Sequence, residues 1–142
     1  MESIKYLSPE QAMEEGELPQ HHFDLVVDGE KIGGAEIDYF SKPLPLYQIT
    51  DLYVDIEHKG KGYASEIMGQ VEQWLMDRRK PGILVDAIMK GDPAKGMYAK
   101  RGWVKVPGGL GLRVFNWPSD VDMSILNGYA SRYTDFTKRT TV

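Results

Sequence analysis

Cysteine is absent from this sequence. Its absence excludes disulfides, thiolate metal sites and a cysteine nucleophile together. No apolar run approaches the roughly 20 residues that a helix needs to cross a bilayer. The first residues also lack the basic and apolar stretches of a secretion signal. We therefore expect a cytoplasmic protein with no membrane partner.

Positive charge and histidine are scarce as well. The 142 residues have a formal net charge of −4 and contain three histidines. Without a dominant basic block, nucleic acid binding through phosphate neutralisation is disfavoured, and we expect no nucleic acid partner. His21 and His22 would point to opposite faces of a strand, so they could not easily share a metal ion. We expect no metal site.

The rest of the composition is that of an ordinary globular chain. Hydrophobic residues make up 42% and charged residues 27% of it, which indicates a real hydrophobic core. We interpret residues 1–142 as one domain, with a short N-terminal element at 1–21, a core at 22–117 and a tail at 118–142.

Apolar periodicity and turn residues predict the order of the elements. Strands are predicted at 4–7, 23–27, 31–39, 47–54, 83–88, 103–106 and 112–117. Helices are predicted at 8–16, 62–79, about 92–101 and in the tail from Ser119. A strand, a helix and a strand in succession form a crossover with a parallel strand pair. The fold class is therefore α/β (α+β), a mixed central sheet flanked by helices.

A glycine-rich loop follows the strand 47–54 and precedes the longest helix. Its residues are Lys59, Gly60, Lys61, Gly62, Tyr63 and Ala64. Glycines allow a close backbone approach, and the first N–H groups of a helix bind anions. The two lysines add positive charge, so the loop indicates a pyrophosphate-bearing ligand. A plain turn between a strand and a helix is the alternative, because short glycine motifs are weak signals.

Two motifs of this chain resemble those of the GNAT family of N-acetyltransferases. Lys59, Gly62 and Ala64 match the pattern Gln/Arg-x-x-Gly-x-Gly/Ala, with lysine at its first position. Downstream, Ala94, Tyr98, Lys100, Gly102 and Trp103 match Asn-x-x-Ala-x-x-x-Tyr-x-Lys-x-Gly-Phe, with Gly91 in place of the asparagine. The resemblance covers roughly residues 22–117. It implies a GNAT fold with a trimmed N-terminal region and an extra C-terminal helix.

The resemblance also implies an activity and a site. Acetyl-CoA is the expected acyl donor, and a primary amine attacks its thioester directly. The main chain of the strand end pairs with the pantetheine arm. The implied CoA-binding residues are Leu52, Tyr53, Val54, Lys59, Gly60, Lys61, Gly62, Tyr63, Ala64, Ser65, Ala94 and Tyr98.

Two residues are candidates for proton transfer. Tyr98 matches the tyrosine that serves the family as proton donor to the leaving thiolate. Asp51, late on the strand 47–54, is our candidate for the base, acting through a water. Each has an alternative: Tyr98 could only pack its helix, and Asp51 could be a solvated residue or a substrate anchor. Ser65 binds phosphate or only supports the turn.

The function predicted is transfer of acetyl from acetyl-CoA to a small-molecule or protein amine. The alternative is a GNAT-fold CoA-binding or regulatory protein without catalytic activity, which Thr50 and Gly91 favour because the family has other residues there. For the tail, packing on its own domain is favoured over a homodimer contact or a lid on the acceptor site. Its apolar positions recur at helical spacing: Met123, Leu126, Tyr129, Tyr133 and Phe136.

Overall fold

The chain folds around one seven-stranded sheet. The structure, a computed structural model, describes residues 4–7, 22–85, 98–108 and 111–129. The strands are β1 (Ile4–Leu7), β2 (His22–Val27), β3 (Glu30–Phe40), β4 (Leu46–Val54), β5 (Gly82–Val85), β6 (Val104–Lys105) and β7 (Leu112–Phe115). Their order in the sheet is β1-β2-β3-β4-β5-β7-β6. Helix α1 (Tyr63–Asp77) connects β4 to β5, and short 3₁₀ helices lie at Ile56–His58 and Met123–Tyr129.

The predicted mixed sheet is confirmed. Strands β4 and β5 pair in parallel, and the remaining neighbours pair antiparallel. A tight turn forms at Asp28-Gly29 between β2 and β3, with φ values of 52° and 83°. Two successive left-handed residues give the turn twist that a two-residue hairpin needs. The predicted helix at 8–16 and the first part of the one at 92–101 lie outside the described residues, whereas residues 98–100 are helical.

Helix α1 covers one face of the sheet. Its apolar stripe, including Ile67, Val71 and Leu75, is almost completely buried against β2, β3 and β4. The helix stops before the predicted residue 79 because Arg79 takes a left-handed φ of 54°. Lys80 N–H then donates to Leu75 O and Arg79 N–H to Met76 O, both at 3.0 Å. This pair of bonds is a Schellman ending, here without its usual glycine.

The other face of the sheet carries a second cluster that includes the tail. Leu84 belongs to the core under α1, whereas its neighbours Ile83 and Val85 belong to this second cluster, as strand alternation requires. Leu126 of the tail is fully buried in it. Packing of the tail on its own domain is thus observed as far as residue 129. No helix in the described part of the chain is long and apolar enough to cross a bilayer.

The start of the tail differs from the prediction. Ser119 was expected to cap a helix, but the first helical turn begins four residues later, at Met123. Asp122 is the residue that accepts the Ser124 N–H, at 2.9 Å. This bond lowers the pKa of the Asp122 carboxyl, because it favours the charged form. The segment is a 3₁₀ helix as far as Tyr129; Gly128 disfavours a regular α-helix there.

Candidate active site

A β-bulge shapes the middle of β4. Glu36 of β3 lies opposite Asp51, but the next residue, Ile37, lies opposite Ile49. Thr50 is therefore the extra residue, and its hydroxyl donates to Glu36 O at 3.3 Å. A bulge bends the strand and locally increases its twist. It also changes which face each later residue occupies.

Beyond the bulge, β4 separates from β5. Among the described residues, which on this strand reach Val85, the parallel pairs are Tyr47 with Gly82, Gln48 with Ile83 and, last, Ile49 with Leu84. β4 continues for five further residues, to Val54. The main chain of Leu52, Tyr53 and Val54 therefore extends past its last pair with β5. Such an edge can hydrogen-bond an extended ligand arm in the way an added strand would.

The glycine loop follows the short 3₁₀ helix Ile56–His58 and leads into α1. Gly60 and Gly62 have φ values of 82° and 83°, which side chains with a Cβ rarely adopt. Gly62 is the N-cap of α1, and no side chain caps the helix. Its carbonyl accepts the Glu66 N–H at 3.2 Å, so the amides before Glu66 have no acceptor within the helix. No atom of the described residues lies within 4 Å of a Cβ built on Gly60 or Gly62, so this part of the structure leaves space beside the loop.

The other predicted loop residues differ in their exposure. Lys59 and Lys61 are exposed, as cations that face a solvated phosphate should be. The Tyr63 side chain is buried in the core, with its ring centroid 6.5 Å from that of His58. Only the main chain of Tyr63 is therefore suited to bind a phosphate. The Ser65 hydroxyl accepts a hydrogen bond from Arg101 Nη1 at 3.1 Å, which supports the alternative that it stabilises the turn.

Tyr98 lies in the core under α1. Its side chain is 3% exposed and contacts Trp103 edge-on, with ring centroids 6.3 Å apart. Burial raises the pKa of its hydroxyl to about 12, and the nearby Glu72 carboxylate adds to the rise. The phenol therefore keeps its proton throughout the neutral range. The predicted contact residue Ala94 and the departure at Gly91 lie outside the described residues.

Asp51 occupies the opposite face of the sheet from Tyr98. After the bulge, Leu52 and Val54 pack against the core under α1. Asp51 and Tyr53 therefore project from the other face, and Asp51 is exposed. The two candidates for proton transfer thus lie on opposite faces of the sheet.

Sequence reasoning missed two groups of polar residues. Glu72, on the buried side of α1, accepts hydrogen bonds from Arg101 and Trp103. The available signal was a glutamate placed among apolar residues at helical spacing. In the second group, Lys31 Nζ lies 3.1 Å from the buried Asp24 carboxylate. Burial raises the pKa of the neighbouring Tyr53 hydroxyl, against the opposing effect of Lys31.

The fold and the loop together place a helix N-terminus without a side-chain cap after the strand β4 of a mixed sheet. Comparison with known proteins gives the family. The model of the Acetyltransferase (GNAT) family matches residues 2–103, and the chain belongs to this family. A search of curated proteins gives no match.

Solved structures of N-acetyltransferases share the fold. The ribosomal-protein-S18-alanine N-acetyltransferase from Escherichia coli superposes with a TM-score of 0.56 at 14% identity, over 80% of this chain and 91% of that one. Ard1 from Thermoplasma volcanium superposes with a TM-score of 0.53 at 16% identity, over 80% of this chain and 94% of that one. The PaiA N-acetyltransferase from Thermoplasma acidophilum, solved with coenzyme A, superposes with a TM-score of 0.50 at 17% identity, over 66% of this chain and 57% of that one. Identities this low show the common fold.

Proposed function

We propose that this chain is an acetyl-CoA-dependent N-acetyltransferase that transfers the acetyl group directly to a primary amine. One observation carries the proposal: the end of β4, beyond its last described pair with β5, is followed after one short 3₁₀ helix by an uncapped helix N-terminus with two lysines before it. The first feature suits a pantetheine arm and the second suits a pyrophosphate. Both lie on one continuous stretch, residues 50–65, so a single elongated ligand can occupy them together.

The donor fits the residues present. The Lys59 and Lys61 side chains and the free amides around Gly62 would hold the pyrophosphate of acetyl-CoA. Main-chain groups from Leu52 to Val54 would pair with the arm, and an N–H there would polarise the thioester carbonyl. Tyr63, Ala64 and Ser65 contribute through the first turn of α1. Ala94 remains a predicted contact of the arm.

The reaction is an acyl transfer without a covalent enzyme intermediate. The amine nitrogen attacks the thioester carbon, and the resulting tetrahedral species collapses by breaking the C–S bond. Asp51, through a water, takes the proton that the nitrogen must lose. The Tyr98 hydroxyl donates a hydrogen bond to the sulfur as negative charge develops on it.

The high pKa of Tyr98 refines its role. A thiol of ordinary acidity has a pKa of about 8.5, well below the value of about 12 for Tyr98. Complete proton transfer from this phenol to the sulfur is therefore thermodynamically unfavourable. In our proposal the sulfur leaves as a thiolate that is hydrogen-bonded to Tyr98, and solvent then protonates it.

The acceptor approaches from the sheet face that carries Asp51. Glu36 lies opposite Asp51 on the same face, and two carboxylates there favour a cationic amine over a neutral or anionic acceptor. Small-molecule amines and protein amines both satisfy this condition. Our proposal treats the chain as one domain; a cytoplasmic location and a homodimer stay predictions from the sequence.

A two-stage assay tests the proposal. Coenzyme A should raise the melting temperature, and ATP should raise it less, because the β4 edge recognises the pantetheine arm that ATP lacks. Thiol release from acetyl-CoA should then depend on an added amine. Stabilisation by CoA without thiol release on a broad amine panel would favour the non-catalytic CoA-binding protein. Stabilisation by ATP alone would contradict both functions.

A further inference from the structure

A buried carboxylate lies on the helix that begins at the glycine loop. Glu72 is the tenth of the 15 residues of α1 (Tyr63–Asp77), and it is only 6% exposed. A buried charge is strongly unfavourable unless it is paired and hydrogen-bonded. Arg101 Nε lies 2.9 Å and 3.0 Å from the two Glu72 oxygens, and Arg101 Nη2 lies 2.7 Å from Oε1. Trp103 Nε1 donates to Glu72 Oε2 at 2.7 Å.

These partners belong to the segment that carries Tyr98. Tyr98 O accepts the N–H groups of Arg101 and Trp103, both at 3.1 Å. The chain reverses between them at Gly102, with a φ of 91°. The Tyr98 ring also contacts the Trp103 ring edge-on. Glu72 therefore holds the two residues that fix both the main chain and the ring of Tyr98.

The same network reaches the glycine loop. Arg101 Nη1 donates to Ser65 Oγ at 3.1 Å, and Ser65 lies in the first turn of α1. A guanidinium has donors in a fixed plane, so one arginine can bind two groups without freedom to rotate. Arg101 thereby joins the start of α1, its middle and the Tyr98 segment into one unit.

We propose that Glu72 is a positioning residue, which through Arg101 and Trp103 sets where the Tyr98 hydroxyl lies relative to the CoA loop. This inference rests on the proposed acetyl transfer, in which Tyr98 donates to the leaving sulfur. Reactions of this kind are sensitive to displacements of about 1 Å in the groups that act on the reacting atoms. If the network only stabilised the fold, its disruption would lower turnover by the same factor whether or not the Tyr98 hydroxyl is present.

One substitution disturbs the network with little damage to the fold. A Cβ on Gly69 would lie 2.9 Å from Arg101 Nη2, and outside its own helix no other atom of the described residues would lie within 4 Å, so Gly69→Ala displaces the guanidinium. Alanine is also the better helix former, which opposes any loss of stability. Arg101→Lys removes the bidentate geometry more completely. Asp77→Asn is the matched control, because Asp77 is exposed on α1 and accepts a hydrogen bond from the exposed Gln73 amide at 2.8 Å, away from the Glu72–Arg101 network.

The experiment is a double-mutant cycle with Tyr98→Phe. We expect Gly69→Ala to lower kcat about fivefold and Arg101→Lys about twentyfold, with the KM for acetyl-CoA changed by less than about twofold. In the Tyr98→Phe background each of the two substitutions should lower kcat by less than about twofold. Asp77→Asn should leave kcat unchanged in both backgrounds. Equal factors in the two backgrounds, or unchanged kcat in Arg101→Lys, would overturn the proposal.

A second measurement does not depend on turnover. The Trp103 ring shifts the NMR signals of the Tyr98 ring, because the centroids are 6.3 Å apart at an interplanar angle of 80°. Arg101→Lys should move the Tyr98 ring signals, and Asp77→Asn should leave them in place. If the wild-type protein releases no thiol, the proposed function fails, yet moved signals still support positioning by the network. Unmoved signals overturn the positioning role in either case.

Discussion

The glycine at the start of α1 gives the sharpest test of the CoA loop. Gly62 has a φ of 83°, and within the described part of the chain no atom lies within 4 Å of a Cβ built on it. Gly62→Ala therefore meets no steric conflict with these residues, and we expect its cost to be that of the left-handed backbone, about 1–2 kcal/mol. With an unfolding entropy of roughly 0.3 kcal/mol/K for 142 residues, the melting temperature should fall by about 3–7 °C.

The chain contains a matched control in the hairpin between β2 and β3. Gly29 also has a φ of 83°, with no neighbour among the described residues within 4 Å of a built Cβ. Gly29→Ala should therefore lower the melting temperature by a similar amount. It lies in a turn on another part of the chain, so it should leave CoA affinity unchanged.

Of the two alanine variants, only Gly62→Ala should lower the affinity for CoA. Its methyl group would enter the space where we place the pyrophosphate and would displace it from the amides of the first turn. Loss of one charge-assisted hydrogen bond, about 1.5–3 kcal/mol, corresponds to roughly 10- to 100-fold weaker binding. Gly62→Asp adds charge repulsion and should weaken binding beyond about 100-fold. Titration calorimetry with CoA measures these changes; equal affinity of the Gly62→Ala and Gly29→Ala proteins would refute the loop assignment.

Four further predictions follow from the site and the tail. Tyr98→Phe should lower kcat about 10- to 100-fold with CoA affinity unchanged in calorimetry, and an unchanged rate would remove its donor role. The pKa of Tyr98 is raised to about 12, so its contribution to the free energy of unfolding is complete below pH ~10 and is lost as the pH rises through 12. Over this interval the unfolding free energy of the wild-type protein, measured by urea titration, should therefore fall by about 2–3 kcal/mol more than that of Tyr98→Phe. Asp51→Asn should lower kcat at neutral pH about 10-fold or more, with less effect at high pH where the amine is already deprotonated, and a pH-independent deficit would contradict a base role. Leu126 is fully buried in the second cluster, so Leu126→Ala should cost about 2–5 kcal/mol of unfolding free energy, and a loss below 1 kcal/mol would show that the tail is not packed as described.

Sequence periodicity was sufficient for most of the sheet. Strands β2, β3 and β4 were predicted within one residue at each end, because alternation and β-branched residues mark a half-buried strand clearly. The ends of α1 and β7 were less predictable. Arg79 and Asn116 both take a left-handed φ, and neither is a glycine that would indicate such a stop in the sequence.

Likewise, only part of the candidate site could be predicted from the sequence. The glycine loop and Tyr98 were visible because they occupy motif positions with fixed spacing. The bulge at Thr50 was not, since it depends on the register between β3 and β4. The contact of Glu72 with Arg101 spans 29 residues of sequence, and only the packing of α1 against the Tyr98 segment brings the two together.

The central claim is that this chain transfers acetyl groups to amines. The most direct measurement uses acetyl-CoA labelled in its acetyl group, with mass detection of the amine product and of free thiol in one reaction. We predict that labelled product and thiol appear in equal amounts, that Tyr98→Phe reduces both together, and that Asp77→Asn reduces neither. Thiol release without a labelled amine, or no labelled product from any cationic amine at saturating acetyl-CoA, would contradict the account.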